Sequence, residues 1–125
     1  MIMPKILIVE DDLPLLRMYQ VVLQKAGCQV LSALDGEEGI EKVRDDNPDL
    51  ILLDVVLPKK NGFQVLEYLK SDVNFSRIPV VCLSVLHQEE DIEQCKRLGA
   101  KDFLVKTDVD PEDVISKVLS YIKPH

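Results

Sequence analysis

A chain of 125 residues, 46% hydrophobic and 30% charged, is the size of one globular domain with a real core and leaves little for a second. Its net charge of −7 argues against direct nucleic-acid binding, which needs basic patches. No apolar stretch approaches the ~18 residues of a membrane span and no signal-peptide pattern is present, so a cytoplasmic location is expected. The cysteines are Cys28, Cys82 and Cys95. Their number is odd and they lack Cys-x-x-Cys spacing, so a reducing compartment is the default and Cys82, inside an apolar run, reads as a small buried hydrophobe.

In chain order, Ile6-Leu7-Ile8-Val9 is a continuous apolar run ending at Glu10, Asp11 and Asp12. Continuous rather than alternating apolar residues suit a strand covered on both faces. Asp12 can cap a helix with Pro14 in its first turn, and Leu16, Tyr19, Val22, Leu23 and Ala26 recur at helical spacing before Gly27 ends the element. Gln29 to Leu34 reads as a second strand. Asp35-Gly36-Glu37-Glu38 has the spacing of a capping box, Ile40 and Val43 follow, and Asn47-Pro48 stops that helix. The third strand is Leu50 to Leu53, ending at Asp54. Val55 to Lys60 is a loop, and Asn61-Gly62 opens a helix carrying Phe63, Leu66 and Leu69. Ile78 to Leu83 is the fourth strand, ending at Ser84, and a polar, acidic helix runs from about Gln88 to Leu98. Gly99-Ala100 breaks it. Phe103 to Val105 is a short fifth strand ending at Lys106, and Asp110-Pro111-Glu112-Asp113 caps a last helix bearing Val114, Ile115, Val118, Leu119 and Ile122.

Five strands alternating with five helices predict an α/β, doubly wound parallel sheet. Strand order 2-1-3-4-5, flavodoxin-like, is one of two common solutions, with its ligand site beyond the carboxyl ends of strands one and three. Those ends carry Glu10, Asp11 and Asp54. Three carboxylates in one place raise one another's pKa values unless a cation neutralises them, and all-oxygen ligands select Mg²⁺, Ca²⁺ or Mn²⁺. Mg²⁺ binds through one or two carboxylates plus a phosphate, so the pocket suits phosphoryl chemistry. Asp54 is a candidate nucleophile, because carboxylates form acyl phosphates; Lys106 would add positive charge and Ser84 a hydrogen bond. Taken singly these are ordinary residues: strand-end acids and lysines are usually solvated, and Asp12 is accounted for by capping alone.

Ile-Leu-Ile-Val-Glu-Asp-Asp at 6–12 resembles the opening of a response-regulator receiver domain of two-component signalling. Asp54-Val-Val-Leu-Pro-Lys-Lys-Asn61-Gly62 resembles its phosphorylation-site segment, Leu83-Ser84 its switch hydroxyl, and Gly99-Ala-Lys-Asp-Phe103-Leu-Val-Lys106 its closing segment. Four motifs in order, across residues 4–123, make the match specific. The resemblance implies a single domain over 1–125 that acts as a phosphorylation-dependent switch. Asp54 would accept a phosphoryl group from a histidine kinase or phosphotransfer protein. Glu10, Asp11, Asp54 and the backbone carbonyl of Val56 would hold Mg²⁺, with Mn²⁺ able to substitute. Ser84 and Phe103 would switch conformation, and Lys106 would pair with the phosphoryl oxygens. The implied output face is the fourth helix, fifth strand and fifth helix, where a downstream protein or a second copy docks. Beyond self-phosphorylation and self-dephosphorylation, no enzyme activity is expected.

The chain departs from the commonest family pattern at Glu10, where aspartate is more usual, at Val85, where a small residue is usual, and at Thr107, where proline is usual. A cis Lys106–Thr107 peptide would cost ~2.5–4 kcal/mol without proline, so either that strain is kept or the following loop is rebuilt. Val85 is expected to narrow access to Asp54, while Val56 and Leu86 are expected to hinder the water that hydrolyses the phosphoryl group. His87 and His125 are read as exposed residues without a role. Other classes fit less well. A haloacid-dehalogenase-type phosphatase wants an acid where Val56 stands. A flavodoxin-type flavin site wants a phosphate loop where Glu10-Asp11-Asp12 would repel phosphate. A pseudo-receiver, folded but not phosphorylated, is the nearest rival.

Overall fold

The computed structural model describes residues 3–86 and 88–122, so the readings of His87 and His125 fall outside the described residues. The elements follow in the order β1 (Lys5–Val9), α1 (Leu13–Lys25), β2 (Gln29–Ala33), α2 (Gly36–Asp46), β3 (Leu50–Asp54), α3 (Gly62–Ser71), β4 (Val80–Ser84), α4 (Glu89–Arg97), β5 (Asp102–Val105) and α5 (Pro111–Ile122). The strands form one parallel sheet in the order β2-β1-β3-β4-β5, as the alternation of elements predicts.

The continuous apolar strands have their expected explanation. Along β1, Leu7 and Val9 enter a core with Ile40 and Val43 of α2, Val65, Leu66 and Leu69 of α3, and Cys95 of α4. Ile6 and Ile8 enter the opposite core with Leu16, Tyr19 and Leu23 of α1 and Val114, Ile115 and Val118 of α5. Successive strand residues point to opposite faces, so a strand buried on both sides must be apolar at every position. β3 is buried throughout, Asp54 included.

The helix starts follow local chemistry. Asp12 Oδ1 accepts the N–H of Leu15 (3.2 Å), so Asp12 caps α1. Asp35 Oδ1 accepts the N–H of Glu38 (2.8 Å), but Glu38 Oε1 accepts from Leu34 rather than from Asp35 (2.7 Å). The expected box is therefore opened by one residue. The reciprocal box lies at α3, where Asn61 accepts from the Gln64 N–H and Gln64 accepts from the Asn61 N–H, both at 2.9 Å. Asn47 ends α2 in the left-handed region with φ 47°. β4 starts at Val80, two residues later than expected, because Ile78 donates its N–H to Phe75 in a turn and Pro79 has none to donate. Gln88 and Leu98 prove to be the caps of α4 rather than parts of it.

Gly36 and Gly62 are both set by close approach of backbone, Gly36 against the Lys60 carbonyl and Gly62 against the end of β3. A Cβ on Gly62 would lie 2.5 Å from Val55 Cα and 2.6 Å from the Asp54 carbonyl oxygen. The start of α3 is thus pressed against the end of β3, and the Gly62 N–H donates to Val55 O at 2.8 Å. Gly62→Ala should force backbone apart and destabilise the fold by about 1–3 kcal/mol, read as a lower urea midpoint; an unchanged midpoint would contradict this packing.

Candidate functional site

The pocket is built from the carboxyl ends of β1, β3, β4 and β5. In register, Val9 pairs with Leu53, Asp54 with Leu83, and Ser84 with Val105. The residues at or just after these pairs, Glu10, Asp54, Ser84 and Lys106, therefore emerge side by side. Parallel strands share direction, so their carboxyl ends share an edge.

Carboxylate oxygens of Glu10, Asp11 and Asp54 all lie within 4.8 Å of one another. Glu10 and Asp54 are buried, at 2% and 5% exposure, while Asp11 is open to solvent. Lys106 Nζ stands between the buried pair, 2.6 Å from Glu10 Oε1 and 2.8 Å from Asp54 Oδ2. Backbone groups take the outer oxygens: Val56 N–H donates to Asp54 Oδ1 (3.0 Å) and Asp12 N–H to Glu10 Oε2 (3.1 Å). Ser84 is fully buried, and its Oγ accepts the N–H of Leu86 at 3.2 Å. Phe103 is half-buried, opposite Cys82 in the ladder and against the core on the α4 side.

The position of Lys106 does not depend on proline. Its N–H donates to the Ser84 carbonyl (2.8 Å), extending the β4–β5 ladder by one bond. Asp108 N–H then closes a turn on Val105 O (2.9 Å). No peptide among the described residues is cis. Of the two outcomes expected at Thr107, the rebuilt loop is the one observed: the ladder, not a cis bond, aims the ammonium. Val56, two residues after Asp54, and Val85, directly after Ser84, are exposed apolar side chains, 49% and 54% accessible.

The electrostatics are those of one cation shared by two buried anions. Burial opposes the Lys106 ammonium, but the hydrogen bond to Asp54 and the close ion pair with Glu10 outweigh it, and its pKa is raised. Burial pushes Glu10 up to about 7, with repulsion from Asp54 adding to the shift and the contact with Lys106 reducing it. Glu10 Oε1 has the ammonium's charge beside it but no donor aligned as a hydrogen bond. A buried, under-satisfied oxygen among three carboxylates is a donor set that fits a hard divalent cation such as Mg²⁺. Tyr19, read from the sequence as core, is also drawn into this field. Burial raises its phenol, Lys106 opposes the rise, and Glu10, Asp54 and Asp12 add to it, leaving the group at about 12. The sequence carried no signal for that beyond helical spacing.

The family described as response regulator receiver domain matches residues 6–119. The chain belongs to this family. Over 116 residues it is 39% identical to the protein PilH of Pseudomonas aeruginosa, covering 93% of this chain and 95% of that one. A phosphorylated cyanobacterial phytochrome response regulator, RcpA, superposes with a TM-score of 0.87 at 32% identity, covering 97% of this chain and 94% of that one. The CheX–CheY–BeF3–Mg²⁺ complex of Borrelia burgdorferi superposes with a TM-score of 0.84 at 28% identity, covering 94% and 87%. The chain spans about half the length of several other curated relatives, transcriptional regulators that include the DNA-binding RpaA of Synechocystis. Receiver domains are phosphoacceptor signalling modules rather than conventional enzymes, and they bind Mg²⁺ at an acidic pocket. They work with histidine kinases or phosphotransfer proteins and with downstream targets. Among the described residues, no helix of this receiver domain is long and apolar enough to cross a membrane.

A raised acid has a defined sign. Folded Glu10 holds its proton to about 7 while the unfolded residue loses it near 4.5. Its contribution to stability is therefore complete below pH 4.5 and is lost as pH rises to about 7. Glu10→Gln imitates the protonated form throughout. Without divalent cations, that variant should gain on the native protein by on the order of 3 kcal/mol across this window. Mg²⁺ should then restore the native protein more than the variant at pH 8. Urea unfolding at pH 4.5 and 8, with and without Mg²⁺, checks both; a pH-independent difference would refute the buried-charge account.

Proposed function

We propose that the chain is a single receiver unit whose Asp54 accepts a phosphoryl group from a phosphohistidine of a sensor kinase or phosphotransfer protein. The observation that carries this reading is the contact of Lys106 Nζ with Asp54 Oδ2 at 2.8 Å, inside a pocket shared with Glu10 and Asp11. In the transfer, an Asp54 carboxylate oxygen attacks phosphorus, the new O–P bond forms as the P–N bond breaks, and the imidazole leaves with that electron pair. Such a step needs positioning and charge neutralisation more than covalent assistance. Glu10, Asp11, Asp54 and the Val56 carbonyl would hold Mg²⁺, which supplies positive charge for the phosphoryl oxygens. Mn²⁺, another hard oxygen-seeking ion, would serve the same site.

The protein's own groups then read the new charge. Lys106 exchanges its contact with Asp54 for one with a phosphoryl oxygen. Ser84 Oγ, now accepting from Leu86, turns its O–H toward the phosphoryl group, and Phe103 packs inward into the space released. Formation of the acyl phosphate thereby biases an existing equilibrium between two shapes. The output face is α4, β5 and α5, for a downstream protein or a second copy of this chain, with no direct nucleic-acid contact. Reversal is slow hydrolysis in the same pocket. A pseudo-receiver is the alternative, and the contacts of Lys106 with Asp54 and Glu10 favour the phosphoacceptor reading over it.

Beryllofluoride with Mg²⁺, a phosphoryl mimic, should shift the amide spectrum around Ser84, Phe103 and α4 in the native protein and leave Asp54→Ala unchanged; a silent native spectrum would sink this reading. Val85 should also slow entry to the pocket. Phosphorylation by acetyl phosphate should be faster in Val85→Ala than in the native protein, and equal rates would remove Val85 from the account.

A further inference from the structure

Gly36 is the first helical residue of α2, directly after its cap Asp35. Nothing local asks for glycine there. Its φ lies outside the left-handed region, and glycine is a poor helix former. The reason is space. A Cβ at Gly36 would overlap the Lys60 carbonyl oxygen and lie 2.7 Å from both the carbonyl carbon and the Cβ of Lys60. The Gly36 N–H, a donor with no partner inside its own helix, meets the Pro58 carbonyl at a long 3.5 Å.

The segment gripped in this way is the one that leaves the phosphoacceptor. Residues 55–61 join β3 to α3. At its base, the Gly62 N–H donates to Val55 O (2.8 Å) and the Val56 N–H to Asp54 Oδ1 (3.0 Å). On its far side, Lys59 takes a left-handed φ of 66°, and its ammonium stands 3.6 Å from Asp35, a partly exposed pair that adds little. The Val56 carbonyl therefore lies between two fixed points. One is its own N–H on Asp54; the other is the grip of Gly36 on Pro58 and Lys60. Leu57, placed before proline, is confined to extended backbone and transmits the constraint.

We propose, on the reading of Val56 as a ligand of the cation, that Gly36 is a positioning residue of the metal site. By admitting the Lys60 carbonyl against α2, it fixes the course of residues 55–61 and so aims the Val56 carbonyl at the divalent cation. Any side chain at position 36 must displace backbone. α2 is held by its buried Gly39, Ile40 and Val43. The start of α3 is held by its capping box and by the close approach of Gly62. Pro58, Lys59 and Lys60 are exposed, so the loop yields, and the displacement runs back toward Val56. The carboxylates of Glu10, Asp11 and Asp54 are carried by the ends of β1 and β3 and stay in place.

The test is Mg²⁺ affinity at pH 8, read from amide shifts in a metal titration of the native chain, Gly36→Ala and Val43→Ala. A fourth protein carries one glycine inserted between Leu57 and Pro58, which leaves the Gly36 contact intact and separates Val56 from it. Loops tolerate such insertions, so this protein carries the test if Gly36→Ala does not fold. Gly36→Ala and the insertion should each raise the Mg²⁺ Kd about tenfold, the scale for losing a group that orients a metal ligand. Val43→Ala weakens the packing of α2 without touching the loop and should stay within about twofold of native. A native Kd retained in Gly36→Ala or in the insertion would overturn this role for Gly36 and leave the metal reading standing. An equal loss in Val43→Ala would reduce the effect to lost stability and overturn it too. Absence of Mg²⁺ binding by the native chain would overturn the metal reading and this role together.

Discussion

One ammonium standing between two buried carboxylates is the constraint on which the site depends. Lys106 Nζ touches Glu10 and Asp54 at 2.6 and 2.8 Å, and both acids are almost fully buried. In a low-dielectric pocket an unpaired charge is very costly, and a single cation cannot neutralise two anions. The remaining acid must keep a proton, gain a metal or suffer the repulsion. The raised Glu10 pKa and the unaligned Oε1 express this deficit. A pocket short of positive charge is receptive to Mg²⁺, and with Mg²⁺ bound it becomes receptive to a phosphoryl group.

The fold exists around this pocket in a literal sense. Apolar residues on both faces of every central strand give the sheet two cores, and the parallel direction brings four polar strand ends to one edge. Gly62 lets α3 begin directly against Asp54, and the Lys106 N–H bond to Ser84 carries the ladder one residue past β5. Rigid groups hold the acids, while Ser84 and Phe103, the proposed reading groups, belong to the half of the sheet that α4 covers. Ser84 ends β4 and Phe103 lies opposite Cys82 on β5, in a sheet that also carries α4, a helix with one buried side chain. Stability is thus unevenly distributed, as a switch requires.

Much of this was legible in the chain. Continuous apolar runs announced strands covered on both sides, and the acids, serine and lysine at their ends announced the pocket. Asp12 capped its helix as its type and spacing implied. Other signals were legible and overread or passed over. Asp35 and Glu38 have box spacing, but Glu38 accepts the N–H of Leu34 in place of that of Asp35. Asn61 and Gln64 form the true box. Thr107 suggested strain or a rebuilt loop and left the choice open, because a tripeptide cannot reveal which neighbouring strand holds its backbone.

The sequence by itself determined the element order, the parallel sheet and the residues that would meet at its edge, because these depend on local periodicity and on the rule that parallel strands end together. Only the tertiary structure decided how their charges are apportioned. That Lys106 serves Glu10 as well as Asp54, and that Asp11 stays in solvent while its neighbour is buried, depend on distances between segments far apart in the chain. Electrostatic energies change steeply with separation and burial, and neither quantity is written in residue order.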